Sequence, residues 1–211
     1  MLQVFLVVLL GVAAAQASPG PNMFAVIETA LGRGRRAALL VVAGIASGTL
    51  VWAALVSLGL GAVFANVPAL LTVLKFIGGA YLCYMGFRGL RAALRGGEPA
   101  LRAETRALSD LAAWRRGFFV VMTNPKALLM WMAIATFLFG AGLGAAQVFA
   151  FGPVVAISAT LIYGFYGVMF STGLASRGYA RFWRWIETAF GFAFGGLGAT
   201  LIMSGARDLR P

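Results

Sequence analysis

No histidine occurs in this 211-residue sequence, and cysteine occurs once, as Cys83. The first absence removes the commonest metal ligand, the side chain that titrates nearest neutral pH and the base of a Ser-His pair. A lone cysteine cannot form an internal disulfide. The six acidic residues form no evident metal site, and the serine in "GIASG" has no base, so no enzyme is indicated and no cofactor or metal is implied. Charge is also scarce, at 11% of residues against about a quarter in soluble domains. With 61% hydrophobic residues, too little polar surface is available to cover a water-facing globule. These features describe an all-α integral membrane protein bound to the lipid bilayer. The net charge of +11 comes with no nucleic-acid motif, so no nucleic-acid partner is expected.

What is present is a series of apolar runs of about 20 residues, the length needed to cross a hydrocarbon core about 30 Å thick. Six candidate spans emerge: 2–31, 38–62, 68–88, 117–139, 148–174 and 182–204. Arginines fill the first connection (Arg33, Arg35, Arg36), the third (seven, from Arg88 to Arg116) and the fifth (Arg177, Arg181, Arg184), whereas the second and fourth are uncharged. Cytoplasmic loops carry the excess of Lys and Arg, so this alternation puts loops one, three and five in the cytoplasm and both termini outside. Arg207 and Arg210 then lie on the opposite side, partly offset by Asp208. The small residues in "VAAAQA" before Ser18 resemble a signal-peptide cleavage site, but no Lys or Arg precedes the apolar segment, so the first run is expected to be a membrane helix. Leu101, Leu108 and Leu111 recur at helical spacing among arginines, which suggests a short helix lying on the inner leaflet.

Two spans are interrupted. In the first, Ser18-Pro19-Gly20-Pro21-Asn22 removes backbone donors and disfavours the helix. In the fourth, Thr123-Asn124-Pro125-Lys126 does the same. Asn22 is eleven residues before Arg33 and Asn124 is eight beyond Arg116, roughly 16 and 12 Å along a helix, so both breaks are expected near mid-membrane. The chain therefore reads as a single membrane domain, 1–211, of two inverted three-helix repeats: repeat one 1–88, a cytoplasmic linker 89–116 and repeat two 117–211. Helices 1 and 4 are the proline-broken ones. Paired breaks of this kind point to a transporter whose site lies at the repeat interface; the plainer alternative is two proline kinks in packed helices. A mid-bilayer lysine is costly and usually functional, so Lys126 is the candidate partner of a substrate carboxylate. Tyr163 and Tyr166 are candidate cavity residues or aromatic filler. Glu28 either pairs with Arg33 or Arg35 or is a protonatable group on the pathway. Gly44-x-x-x-Gly48 and Gly191-x-x-x-Gly195 permit close helix approach, either within the chain or in a homodimer.

The segments "SPGPNM", "RRAALLVVAGIASG", "LKFIGGAYLCYMGFRGLR" and "RRGFFVVMTNPKALLMW" occur in this order over nearly the whole chain. Together they resemble the LysE/RhtB family of bacterial amino-acid exporters. The resemblance implies an inner-membrane exporter of amino acids or related metabolites, driven by the proton motive force. Its motif positions here are Pro19, Gly20, Pro21, Asn22, Asn124, Pro125 and Lys126, with Ser18, Thr123, Tyr163 and Tyr166 as further candidate site residues. Many members carry an acid after the second-span glycine, where this chain has Gly48-Thr49, which leaves Glu28 as the leading candidate for proton coupling. A passive small-solute channel or a non-transporting membrane protein is the competing expectation.

Overall fold

The computed structural model describes residues 2–60, 69–95, 108–172 and 174–209. All of the elements among them are helical: α1 (Leu2–Ala17), α2 (Pro21–Leu55) with a π-helical turn (Val56–Leu60), α3 (Ala69–Arg95), α4 (Asp110–Thr123), α5 (Pro125–Gly140), α6 (Ala145–Phe170) and α7 (Leu174–Asp208). Among the described residues, Ala145–Phe170 and Arg181–Arg207 are each long and apolar enough to cross a membrane, as is Pro21–Gly59 by length and composition before its turn at Gly34 is considered; α4 and α5, taken together as one bent element, are a fourth. The surface helix expected from Leu101, Leu108 and Leu111 lies partly outside the described residues. Leu108 precedes α4, and Leu111 is already in its first turn.

Proline chemistry explains where the helices stop. A residue before proline is pushed out of the α region into extended backbone. Gly20, before Pro21, has φ 171° and ψ 177°; Asn124, before Pro125, has φ −77° and ψ 111°. Each proline then occupies the first turn of the next helix, where a missing N–H costs nothing. The axes of α4 and α5 diverge by 59°. Ser109 caps α4 by accepting a hydrogen bond from the Ala112 amide.

Within α2, Gly34 leaves helical geometry with φ 77°, a left-handed value that glycine adopts without a Cβ clash. A straight helix would hold Val26 and Ala38 roughly 18 Å apart. Instead, side-chain atoms of both lie within 3.4 Å of the position a Cβ would take on Gly167. The chain therefore folds back at Gly34, and Pro21–Arg33 and Arg35–Leu55 are two helices of a hairpin.

The chain forms two compact units, Met1–Gly61 with Ala100–Ser176, and Ala62–Pro99 with Arg177–Pro211. In the first, α2 and α4 meet without intervening side chains. A Cβ on Gly117 would lie 1.9 Å from the Val41 carbonyl oxygen, and one on Gly44 2.0 Å from that of Trp114. This close approach lets the Trp52 indole donate to the Val121 carbonyl and that of Trp114 to the Ser47 hydroxyl. Helix α6 is apolar all round, as a membrane-buried helix is. Phe149, Ile157, Leu161 and Phe165 form an exposed stripe, while Val148, Val155, Ala159 and Tyr163 are buried. In the second unit α3 and α7 also pack on small residues, with Gly86 against Gly191 and Gly195, and Gly79 against Gly198. Both Gly-x-x-x-Gly motifs are thus engaged within units of this chain.

Candidate functional site

The end of α1 frees carbonyls that, away from water, need donors. The structure supplies them one by one. The Ala14 carbonyl accepts from the Ser18 amide, and that of Ala15 from the Ser18 hydroxyl. The Ala17 carbonyl accepts from the Tyr166 hydroxyl at 2.8 Å. Beyond the helix, the Ser18 carbonyl at 3.1 Å, the Pro19 carbonyl at 3.4 Å and the Ser18 hydroxyl oxygen all accept from Lys126 Nζ. A helix C-terminus carries partial negative charge, so a cation is favoured there, by up to about 2 kcal/mol in partly buried geometry.

The two breaks also meet through their asparagines. Asn124 Nδ2 donates to Asn22 Oδ1 at 3.0 Å, and its Oδ1 caps α5 by accepting from the Lys126 amide. Asn22 Nδ2 reaches the Tyr163 hydroxyl at a long 3.5 Å. Asn22, Asn124 and Tyr163 are all buried. Gly20 leaves room here for the lysine: its backbone is extended, and an added Cβ would lie 3.3 Å from Lys126 Nζ, close enough to make that side chain shift.

A cavity of about 20 Å³ opens beside this cluster, lined by Gln16, Asn22, Thr49, Asn124, Lys126 and Tyr163 along its polar part. One water needs roughly 10–15 Å³ by this kind of measure, whereas ligand pockets reach hundreds. The cavity is therefore closed to anything larger than water. The apolar remainder of its wall includes Val121, Ala127, Met130 and Ala159.

The expected site residues divide by direction. Ser18, Pro19, Gly20, Asn22, Asn124, Lys126 and Tyr163 converge, with Pro21 and Pro125 starting the helices beside them. Tyr166 holds the end of α1. Thr123 is exposed, and its hydroxyl bonds to the Phe119 carbonyl of its own helix. Glu28 pairs with Arg116 on α4 at 3.1 Å, a partner that the sequence did not suggest.

Three residues were not anticipated. Gln16 is buried, donates to the Val155 carbonyl at 3.2 Å and accepts from the Ser158 hydroxyl at 2.8 Å, joining α1 to α6. Its signal was an amide side chain near the end of an apolar run, two residues before the break. Thr49, at the position where the resemblance places an acid in many proteins, lines the cavity with its hydroxyl bonded to the Ile45 carbonyl. Arg116, read as one of many loop arginines, is the third.

Residues 13–205 match the LysE type translocator family. The threonine efflux proteins of Salmonella typhi and Escherichia coli strain K12 are each 31% identical to this chain over 205 residues, covering 97% of it and 100% of the relative. The leucine efflux protein of Klebsiella pneumoniae is 32% identical over 117 residues, covering 54% of this chain and 53% of that protein. No solved structure matches the chain.

Proposed function

Because this chain belongs to the LysE type translocator family, and is thus a membrane transporter rather than an enzyme, we propose that it exports amino acids or closely related small metabolites by secondary active transport. The observation that carries the proposal is the meeting of two proline-started helices at a buried polar cluster beside a cavity. Threonine and leucine, named for the relatives, are neutral zwitterions. Such a substrate suits a cavity wall that, among the described residues, carries Lys126 as its ionic side chain. Its carboxylate pairs with Lys126 and the N-terminus of α2, which has no side-chain cap and carries partial positive charge. Asn22 and Asn124 either orient its ammonium or satisfy main-chain groups freed by the breaks. The competing channel reading requires conduction without a driving gradient.

In the membrane, the chain adopts six spans: α1 with Pro21–Arg33, then Arg35 onward, α3, the α4–α5 pair, α6 and α7. The first and fourth of these carry the proline breaks near mid-membrane. Residues 1–88 and 117–211 are inverted repeats; in support, each compact unit draws helices from both. Loop arginines put both termini outside a bacterial inner membrane. Protons entering from outside drive export, with Glu28 as their carrier.

The test is efflux of labelled threonine and leucine from preloaded proteoliposomes, with and without an imposed pH gradient. Gradient-dependent efflux is expected from the wild type and none from Lys126→Ala, at equal membrane insertion. Wild-type flux in that variant would remove the role of Lys126, and gradient-independent flux would remove the coupling.

A further inference from the structure

Three oxygens, the Ser18 and Pro19 carbonyls and the Ser18 hydroxyl, converge on one nitrogen at the negative end of α1. That nitrogen belongs to Lys126, which starts another helix and lies 108 residues away in sequence. An ammonium held by carbonyls at a helix C-terminus is chemically the same contact that an amino acid's α-ammonium makes. The same lysine forms part of the wall of a cavity too small for any amino acid. We infer that this oxygen cage is an ammonium-binding site, held closed in this structure by Lys126 acting as a tethered occupant, and taken over by the substrate's α-ammonium during transport.

Displacement and recognition are then one event. When the substrate's ammonium enters the cage, Lys126 swings out and its charge meets the substrate's carboxylate. In the absence of substrate the lysine returns, so the emptied carrier keeps its cavity closed. Recognition thus requires both a primary ammonium and a carboxylate on one small molecule. The inference deepens the export proposal by naming the ammonium subsite and its internal competitor.

The test uses full-length protein in lipid nanodiscs with ethylammonium, a probe that has the ammonium but no carboxylate. An internal occupant lowers apparent affinity by the fraction of time the site is open, so its removal raises affinity by the inverse of that fraction. Lys126→Met is expected to bind ethylammonium about tenfold or more tightly than the wild type if the lysine holds the cage nine-tenths of the time. Adding Ser18→Ala should reverse that gain. Should Lys126→Met fail to assemble, Lys126→Gln, which keeps a polar side chain but no ammonium, is expected to show the same gain. Ethylammonium binding no tighter than wild type in the assembled variants overturns the cage. N-acetylthreonine, which lacks the ammonium, should bind neither protein, and its binding at threonine's affinity would also overturn it. These measurements need no flux. Tighter amine binding in a protein that exports nothing supports the cage and sinks the export reading, whereas export without that gain does the reverse.

Discussion

Asn22→Ala isolates the amide contact between the two breaks from the one that Lys126 makes with Ser18 and Pro19. Asn124 is the poorer choice, because its side chain also caps α5. Removing the Asn22 amide strands Asn124 Nδ2, whose host residue is buried, and releases the long contact to Tyr163. A stranded buried donor costs about 1–3 kcal/mol, while side-chain hydrogen bonds between membrane helices average about 0.6 with a maximum near 1.7. A loss of about 1–2 kcal/mol follows for the closed arrangement, which raises the open population roughly five- to thirty-fold. Labelling of a cysteine on the cavity wall reads that population directly. The background is Cys83→Ser, which clears the native thiol, and Ala159→Cys places a new one on the wall. A small methanethiosulfonate should react five- to thirty-fold faster once Asn22→Ala is added. Ala135→Cys, at a fully buried position of α5, guards against general loosening and should stay unreactive. Equal labelling rates with and without Asn22→Ala would refute the idea that this amide pair holds the cavity shut.

Gly117→Ala drives a methyl group into the Val41 backbone carbonyl, and overpacking against an atom that cannot rotate away costs about 1–3 kcal/mol. Its thermal midpoint in detergent should fall by roughly 5 °C, and an unchanged midpoint would contradict the close approach of α2 and α4. Gly34→Ala meets open space but must adopt φ 77° with ψ −175°, a combination essentially confined to glycine, for a loss of about 1–3 kcal/mol by the same assay. A neutral result there would argue against the hairpin turn. Glu28→Gln leaves Arg116 facing a neutral amide, so gradient-driven export should drop to the no-gradient level while exchange of amino acid across the vesicle persists. Full gradient-driven export in that variant would exclude Glu28 from coupling.

Local chemistry was the legible part. Where α1 and α4 end follows from the conformational limits that Pro19, Pro21 and Pro125 place on their neighbours, which no distant contact has to supply. Helical content and membrane character follow from composition and the length of the apolar runs. Facing was not legible. Thr123 and Asn124 are adjacent, yet one hydroxyl turns back to Phe119 and the other side chain reaches Asn22, because Thr123 is still within α4 whereas Asn124, before Pro125, has left it for extended backbone. Arg33 and Arg35 are the basic residues close to Glu28 in sequence, whereas Arg116 is 88 residues away and comes near through the turn at Gly34 together with the glycine packing between α2 and α4. Gln16 gives no sign of its role in the sequence, because its contacts on α6 lie more than 130 residues on.

The link between Ser18 and Lys126 spans 108 residues of chain. Ribosomes add roughly 5–20 residues per second, so the first half of that bond waits roughly 5–20 s for the second. Throughout this interval a nascent segment carrying bare carbonyls and an uncapped asparagine has to be sheltered from hydrocarbon. Biogenesis therefore depends on a hydrophilic refuge, in the insertion machinery or at the bilayer edge, until the late-born lysine is made. Slowing elongation between codons 22 and 126 should increase degradation of the newborn protein more than the same delay placed after residue 176.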